Sequence, residues 1–221
     1  MEKHCGLTRV EEAKVIGEAG TEAGVRAAVA LIPGIGPALA DLVFGAMQGR
    51  KIRRLELTCE ALSARMSRVP EEIVDREFLK TDEFADIAEE CLQRAATTAN
   101  AARASAYREV LVGASLRGRP PYDEVQLYLA RLPFLSEEHF AVLRAFEESD
   151  VKAFKFSQVA ERLPGSGAAL LDLTNLGLTH RANQNFFGSK EVRRAVEPYP
   201  DEQFSLTEFG ERFIRFILGS G

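Results

Sequence analysis

Ala168-Ala-Leu-Leu-Asp-Leu-Thr-Asn-Leu-Gly-Leu178 and, further on, Leu206-Thr-Glu-Phe-Gly-Glu-Arg-Phe-Ile-Arg-Phe-Ile217 decide how this chain is read. The first stretch is an apolar helix running into Gly177, a residue able to take the left-handed conformation that ends helices. The second is a helix whose Phe209, Phe213, Phe216 and Ile217 supply aromatic core, with Ser205 and Glu208 spaced as a capping box. Residues 178–206 are expected to hold two strands separated by a long insertion. Upstream, Ser136 followed by Glu137 and Glu138 starts a helix that turns Phe140, Leu143 and Phe146 inward. Residues 156–163 read as a second helix, stopped by Pro164 and Gly165, and Ser166 is placed to cap the third.

The bulk numbers bound the alternatives. The chain has 221 residues, 46% hydrophobic and 28% charged, which is the profile of a globular protein with room for one large or two small domains. A net charge of −5 argues against a protein that coats nucleic acid non-specifically, while allowing a local basic patch. The three cysteines, Cys5, Cys59 and Cys91, show no C-x-x-C spacing, and a reduced cytoplasmic setting is the simplest expectation. Residues 1–22 are polar and Glu-rich, and do not read as a secretory leader.

From Ala27 to Ala40 the chain carries no charge, with Arg26 and Asp41 at its borders. Pro33 and Pro37 around Gly34 and Gly36 would break a single helix, so a helical hairpin with a Pro-Gly-Ile-Gly-Pro corner is expected. Its second arm has Leu39, Leu42, Val43, Ala46 and Met47 on one face. Each arm is shorter than the roughly 20 residues needed to span a bilayer, so a buried hairpin is favoured over membrane insertion. Next, Ile52, Leu55, Cys59, Leu62, Met66 and Val69 recur three and four apart, a seam of the kind two helices share. Ile52, Leu55, Leu62 and Met66 are the candidate self-association residues. The rival expectation is that the seam packs against residues 84–112. Pro70 suits the first turn of a helix. Thr81 is placed to cap a helix with Phe84, Ile87, Cys91 and Ala95 on its buried face, continuing through an alanine-rich run to about Leu116. Pro120 and Pro121 mark the best internal boundary, followed by a helix with Val125, Tyr128, Leu129 and Leu132 on one face and an end at Pro133.

Chemistry-bearing motifs are few. The segment Val29-Ala-Leu-Ile-Pro-Gly34-Ile-Gly36 invites a dinucleotide-binding reading, but its third small position is Leu39 and Pro37 removes a useful amide. No P-loop, nucleophile elbow or H-E-x-x-H occurs. His4, His139 and His180 are scattered, and His139, in a helix first turn, is expected at the surface. No catalytic, cofactor-binding or metal-ligating residue is therefore expected, and the chain is expected to be a non-enzyme.

The order helix, helix, helix, strand, insertion, strand, helix over residues 134–221 resembles a winged-helix module. That resemblance implies a compact domain with a small β-wing, and in members that bind DNA the third helix enters the major groove. Here the third helix has no basic residue and one acid, Asp172, which departs from the DNA-reading pattern. The wing offers Arg181, Lys190, Arg193 and Arg194 as candidate phosphate contacts. In the insertion, Phe186 and Phe187 are flanked by polar residues; neighbouring side chains in extended chain face opposite ways, so one would anchor the wing and the other contact a partner. The N-terminal half, on Ile32-Pro-Gly-Ile-Gly-Pro37 and Thr81-Asp-Glu-Phe84, resembles uncharacterised bacterial helical proteins suspected in phage defence.

The expected architecture is mainly α. A polar arm (1–22) precedes a helical bundle with an apolar hairpin (23–119), a connecting helix (120–133) and a winged-helix domain with a small β-wing (134–221). The expected function is regulatory or scaffolding, with a protein partner and a homo-oligomer. DNA-binding regulation is the first alternative, and a membrane-active role for the 27–47 hairpin is the second.

Overall fold

The computed structural model describes residues 29–30, 32–36, 39, 49–149, 153–181 and 202–219. These are mainly helical, with one small three-stranded antiparallel sheet. The chain divides into two units, Met1–Leu127 and Tyr128–Gly221. The division falls inside the helix expected as a connector, Tyr122–Arg131 (α4), so that helix contributes its first turns to one unit and its last to the other.

In the N-terminal unit, α1 (Gly49–Met66), α2 (Asp82–Thr97) and α3 (Ala101–Ala114) pack on one another pairwise. The α1 seam is buried at Leu55, Cys59, Leu62 and Met66, and the helices it packs on bury Phe84, Ile87, Cys91 and Leu92 of α2 and Val110 and Leu111 of α3. A guanidinium nitrogen of Arg54 donates to the Thr97 carbonyl at 3.2 Å, so α1 caps an orphan acceptor at the end of α2. Thr81 caps α2 as expected, its hydroxyl accepting the Phe84 amide at 3.3 Å.

The expected continuous helix to Leu116 is two helices. Thr98 is extended, and the Asn100 side chain accepts the Arg103 amide at 2.8 Å to begin α3. A good N-cap offers the backbone an alternative to continuing the helix, and here it overrides alanine propensity. Pro70 likewise opens only a 3₁₀ turn, Glu71–Ile73, followed by a second one at Phe78–Lys80.

The link between α1 and α2 is stitched to the end of α3. Val74 and Leu116 form an antiparallel bridge, the Asp75 amide donates to Ser115 O at 2.9 Å, and the Arg117 amide donates to Ile73 O at 2.7 Å. Arg119 pairs with the Asp75 carboxylate and lies 3.4 Å over the Phe78 ring. The Pro33–Gly34 corner also belongs to this region. Val29 and Ala30 are helical, residues 33–35 turn, and Gly36 and Leu39 are helical again. Val29, Ile32, Ile35 and Leu39 are fully buried, and Gly34, at φ +81°, faces Val74 and Met66. A Cβ on Gly36 would lie 2.6 Å from the carbonyl oxygens of Val29 and Ala30, so only glycine fits the corner. The remainder of the hairpin and the polar arm lie outside the described residues.

In the C-terminal unit the order is α5 (Glu137–Glu147), β1 (Ala153–Lys155), α6 (Phe156–Arg162), α7 (Ser166–Asn175), β2 (Thr179–Arg181), β3 (Gln203–Leu206) and α8 (Glu208–Leu218). The sheet order is β1-β3-β2, both pairings antiparallel, with Phe154 opposite Phe204 and His180 opposite Ser205. Phe140, Leu143, Leu170, Leu173, Phe204 and Phe213 form the core, and Tyr128 sits within 5.2–5.5 Å of the rings of Phe209, Phe213 and Phe216.

Two caps differ from expectation. The last helix is capped by Thr207, which accepts the Gly210 amide at 2.8 Å, because Ser205 is committed to β3 and meets His180 Nε2 at 3.0 Å. Ser166 is the first residue of α7 rather than its cap. Gly165, at φ +88°, takes that position, and the Ser166 hydroxyl is buried. Gly177, at φ +75°, ends α7 as expected.

Candidate functional site

α7, the helix between α6 and β2, carries one buried and one outward side. Ser166, Ala169, Leu170 and Leu173 recur at helical spacing and are buried. Their opposite side exposes Ala168, Asp172 and Asn175, with Gly167, Leu171 and Leu176 half-buried alongside. Thr174 is turned inward, donating to Leu170 O and meeting the Thr179 hydroxyl, each at 2.9 Å. The outward face thus holds small and apolar groups, one amide and one carboxylate, with no Lys or Arg anywhere on the helix.

Asp172 reaches toward α5. Its carboxylate lies 3.6 Å from Nε2 of His139, and the other ring nitrogen, Nδ1, accepts the Ser136 amide at 3.0 Å. Because Nδ1 is an acceptor, the neutral ring carries its proton on Nε2, toward Asp172. The Ser136 hydroxyl stands 2.6 Å from Nδ1 and also accepts the His139 amide. Serine, histidine and aspartate in a row resemble an activated nucleophile, but reciprocal capping of α5 accounts for the contacts between Ser136 and His139. His139 is therefore buried, contrary to the surface position expected of it, since the capping role turns its ring back over the helix start. Sequence reasoning found the Ser136 cap and missed its partner; the Ser-x-x-His spacing was the available signal.

Of the four candidate phosphate contacts, only Arg181 lies among the described residues. Its guanidinium is 3.0 Å from the Glu202 carboxylate and lies 5.7 Å over the Phe204 ring. Both partners are largely buried, at 24% and 14% side-chain exposure, so this cation is engaged inside the unit. Lys190, Arg193, Arg194, Phe186 and Phe187 lie outside the described residues. The self-association candidates Leu55, Leu62 and Met66 are buried on α1, which packs on α2 and α3 of the same chain. Ile52 belongs to α1, and its side chain is outside what is described.

Elsewhere in this unit a concavity of about 250 Å³ is lined by Ser149, Phe154, Gln158, Glu161 and Arg162. Among the described residues no three His, Cys, Asp or Glu side chains gather into a group able to hold a metal ion. Burial pushes the Cys59 thiol up to about 12 and the Cys91 thiol well above its ordinary value, so neither is a ready nucleophile. No described helix is long and apolar enough to cross a membrane.

Comparison of the chain with protein-family models, with curated proteins and with solved structures finds no match.

Proposed function

We propose that this chain is a non-enzymatic regulatory or scaffolding protein whose C-terminal unit is a winged-helix module used to bind protein. The module reading is supported by the element order of α5 to α8 and by the antiparallel strand order β1-β3-β2, in which the last strand enters the middle of the sheet. The observation that carries the choice of target is the outward face of α7. It presents Ala168, Leu171, Asp172 and Asn175 and no cation. Duplex binding draws much of its affinity from Lys and Arg on phosphates, and base reading from Arg, Lys, Asn or Gln on base edges. Asn175 alone meets the second requirement and nothing on α7 meets the first.

Engagement of Arg181 by Glu202 favours the same choice. Membrane insertion is disfavoured by the burial of Val29, Ile32, Ile35 and Leu39 within the chain. The partner is a different protein or a second copy, the setting implied by the N-terminal resemblance is bacterial defence, and the cysteine pattern favours the cytoplasm.

The test has two arms. In anisotropy titrations at physiological salt the full chain should show no saturable, sequence-selective duplex binding; such binding would overturn the reading. In co-purification from its own host, a partner or a second copy should be lost on Leu171→Glu and kept on Arg181→Ala. A partner that survives Leu171→Glu at full occupancy would place the interface elsewhere.

A further inference from the structure

No further inference is drawn: the strongest candidate, the outward face of α7 from Ala168 to Asn175, is an unpartnered helix face already used for the proposed function, and nothing in the structure shows what covers it.

Discussion

His139 on α5 and Asp172 on α7 face each other, Nε2 to carboxylate at 3.6 Å, with His139 8% exposed and Asp172 61% exposed. The asymmetry in exposure predicts an asymmetry in energy. His139→Ala removes the acceptor for the Ser136 amide and leaves a space at the start of α5, and should cost about 1–2 kcal/mol. Asp172→Ala removes a screened, long-range partner and should cost under about 0.5 kcal/mol. Urea denaturation of both variants checks this. Equal losses would mean that the pair, rather than the cap, holds the two helices.

Glycines separate steric need from conformational preference. A Cβ on Gly210 would overlap the Leu178 carbonyl oxygen, which the Thr207 amide already approaches at 3.1 Å. A Cβ on Gly36 would meet two backbone carbonyls. Gly118 has φ +77° and open space around it. Gly210→Ala and Gly36→Ala should therefore each cost on the order of 2–4 kcal/mol, because rigid backbone must move. Gly118→Ala should cost about 1–2 kcal/mol, the left-handed penalty alone. Thermal melts of the three variants should rank in that order, and a Gly118→Ala loss matching Gly210→Ala would contradict it.

These positions also show what could be read from sequence. Thr81, Ser136 and Gly177 were legible because a cap is decided within a few residues of chain. The break at Asn100 was not, because alanine on both sides raises helix propensity while one side-chain hydrogen bond decides the outcome. Ser205 and Thr207 both lie within three residues of Glu208. The cross-strand register with His180 assigns Ser205 to β3, and pairing across strands is invisible to local spacing. The candidate site divided similarly. The lack of cations on α7 was plain in the sequence, but the engagement of Arg181 by Glu202 and of His139 by Asp172 depends on residues brought together by folding.

Cys59 and Cys91 should resist modification in the native protein. Burial raises Cys59 to about 12 and Cys91 in the same direction, against an unfolded value near 8.5. The folded state therefore holds protons that the unfolded chain releases. The corresponding stability is complete below about pH 8.5 and is lost as pH rises from there toward 12. Chemical denaturation at pH 7 and pH 10 should show this alkaline loss, reduced in Cys59→Ala. Thiol titration of native protein should leave both residues unreacted until unfolding; rapid labelling of Cys59 at pH 7 would refute the buried assignment.

Asp75 runs the opposite way. The Phe78 amide, then the Arg119 guanidinium, hold its carboxyl below the usual range against the opposing effect of burial. A lowered folded pKa means that its stabilisation is present above the unfolded value, near 3.9, and is lost as pH falls through the folded one. Asp75→Asn should flatten the acid limb of the stability curve. Arg119→Ala should do the same and in addition lower the melting temperature at pH 7, because it also removes the stacking on Phe78. An acid limb unchanged in both variants would show that other carboxylates control it.

Arg181 decides between a structural and a ligand-contacting role for the end of β2. Its charge is matched by Glu202 in a setting where both side chains are mostly withdrawn from water, and its guanidinium covers Phe204, which is fully buried in the middle strand. Removing such a group acts first on folding, since truncating one member of a part-buried pair leaves a charge in a poorly solvated place. Arg181→Ala should lower the melting temperature, and Arg181→Glu should lower it further by setting two carboxylates against each other. The exchange Arg181→Glu with Glu202→Arg should recover part of that loss, because it restores the charge match while altering the contact with Phe204. A phosphate-contacting residue would behave differently. Its loss would leave melting unchanged and reduce the salt slope of duplex binding by about one. Melting curves for the three variants, read beside duplex titrations at two salt concentrations, separate the roles. An unshifted melt together with a reduced salt slope would return Arg181 to the nucleic-acid reading.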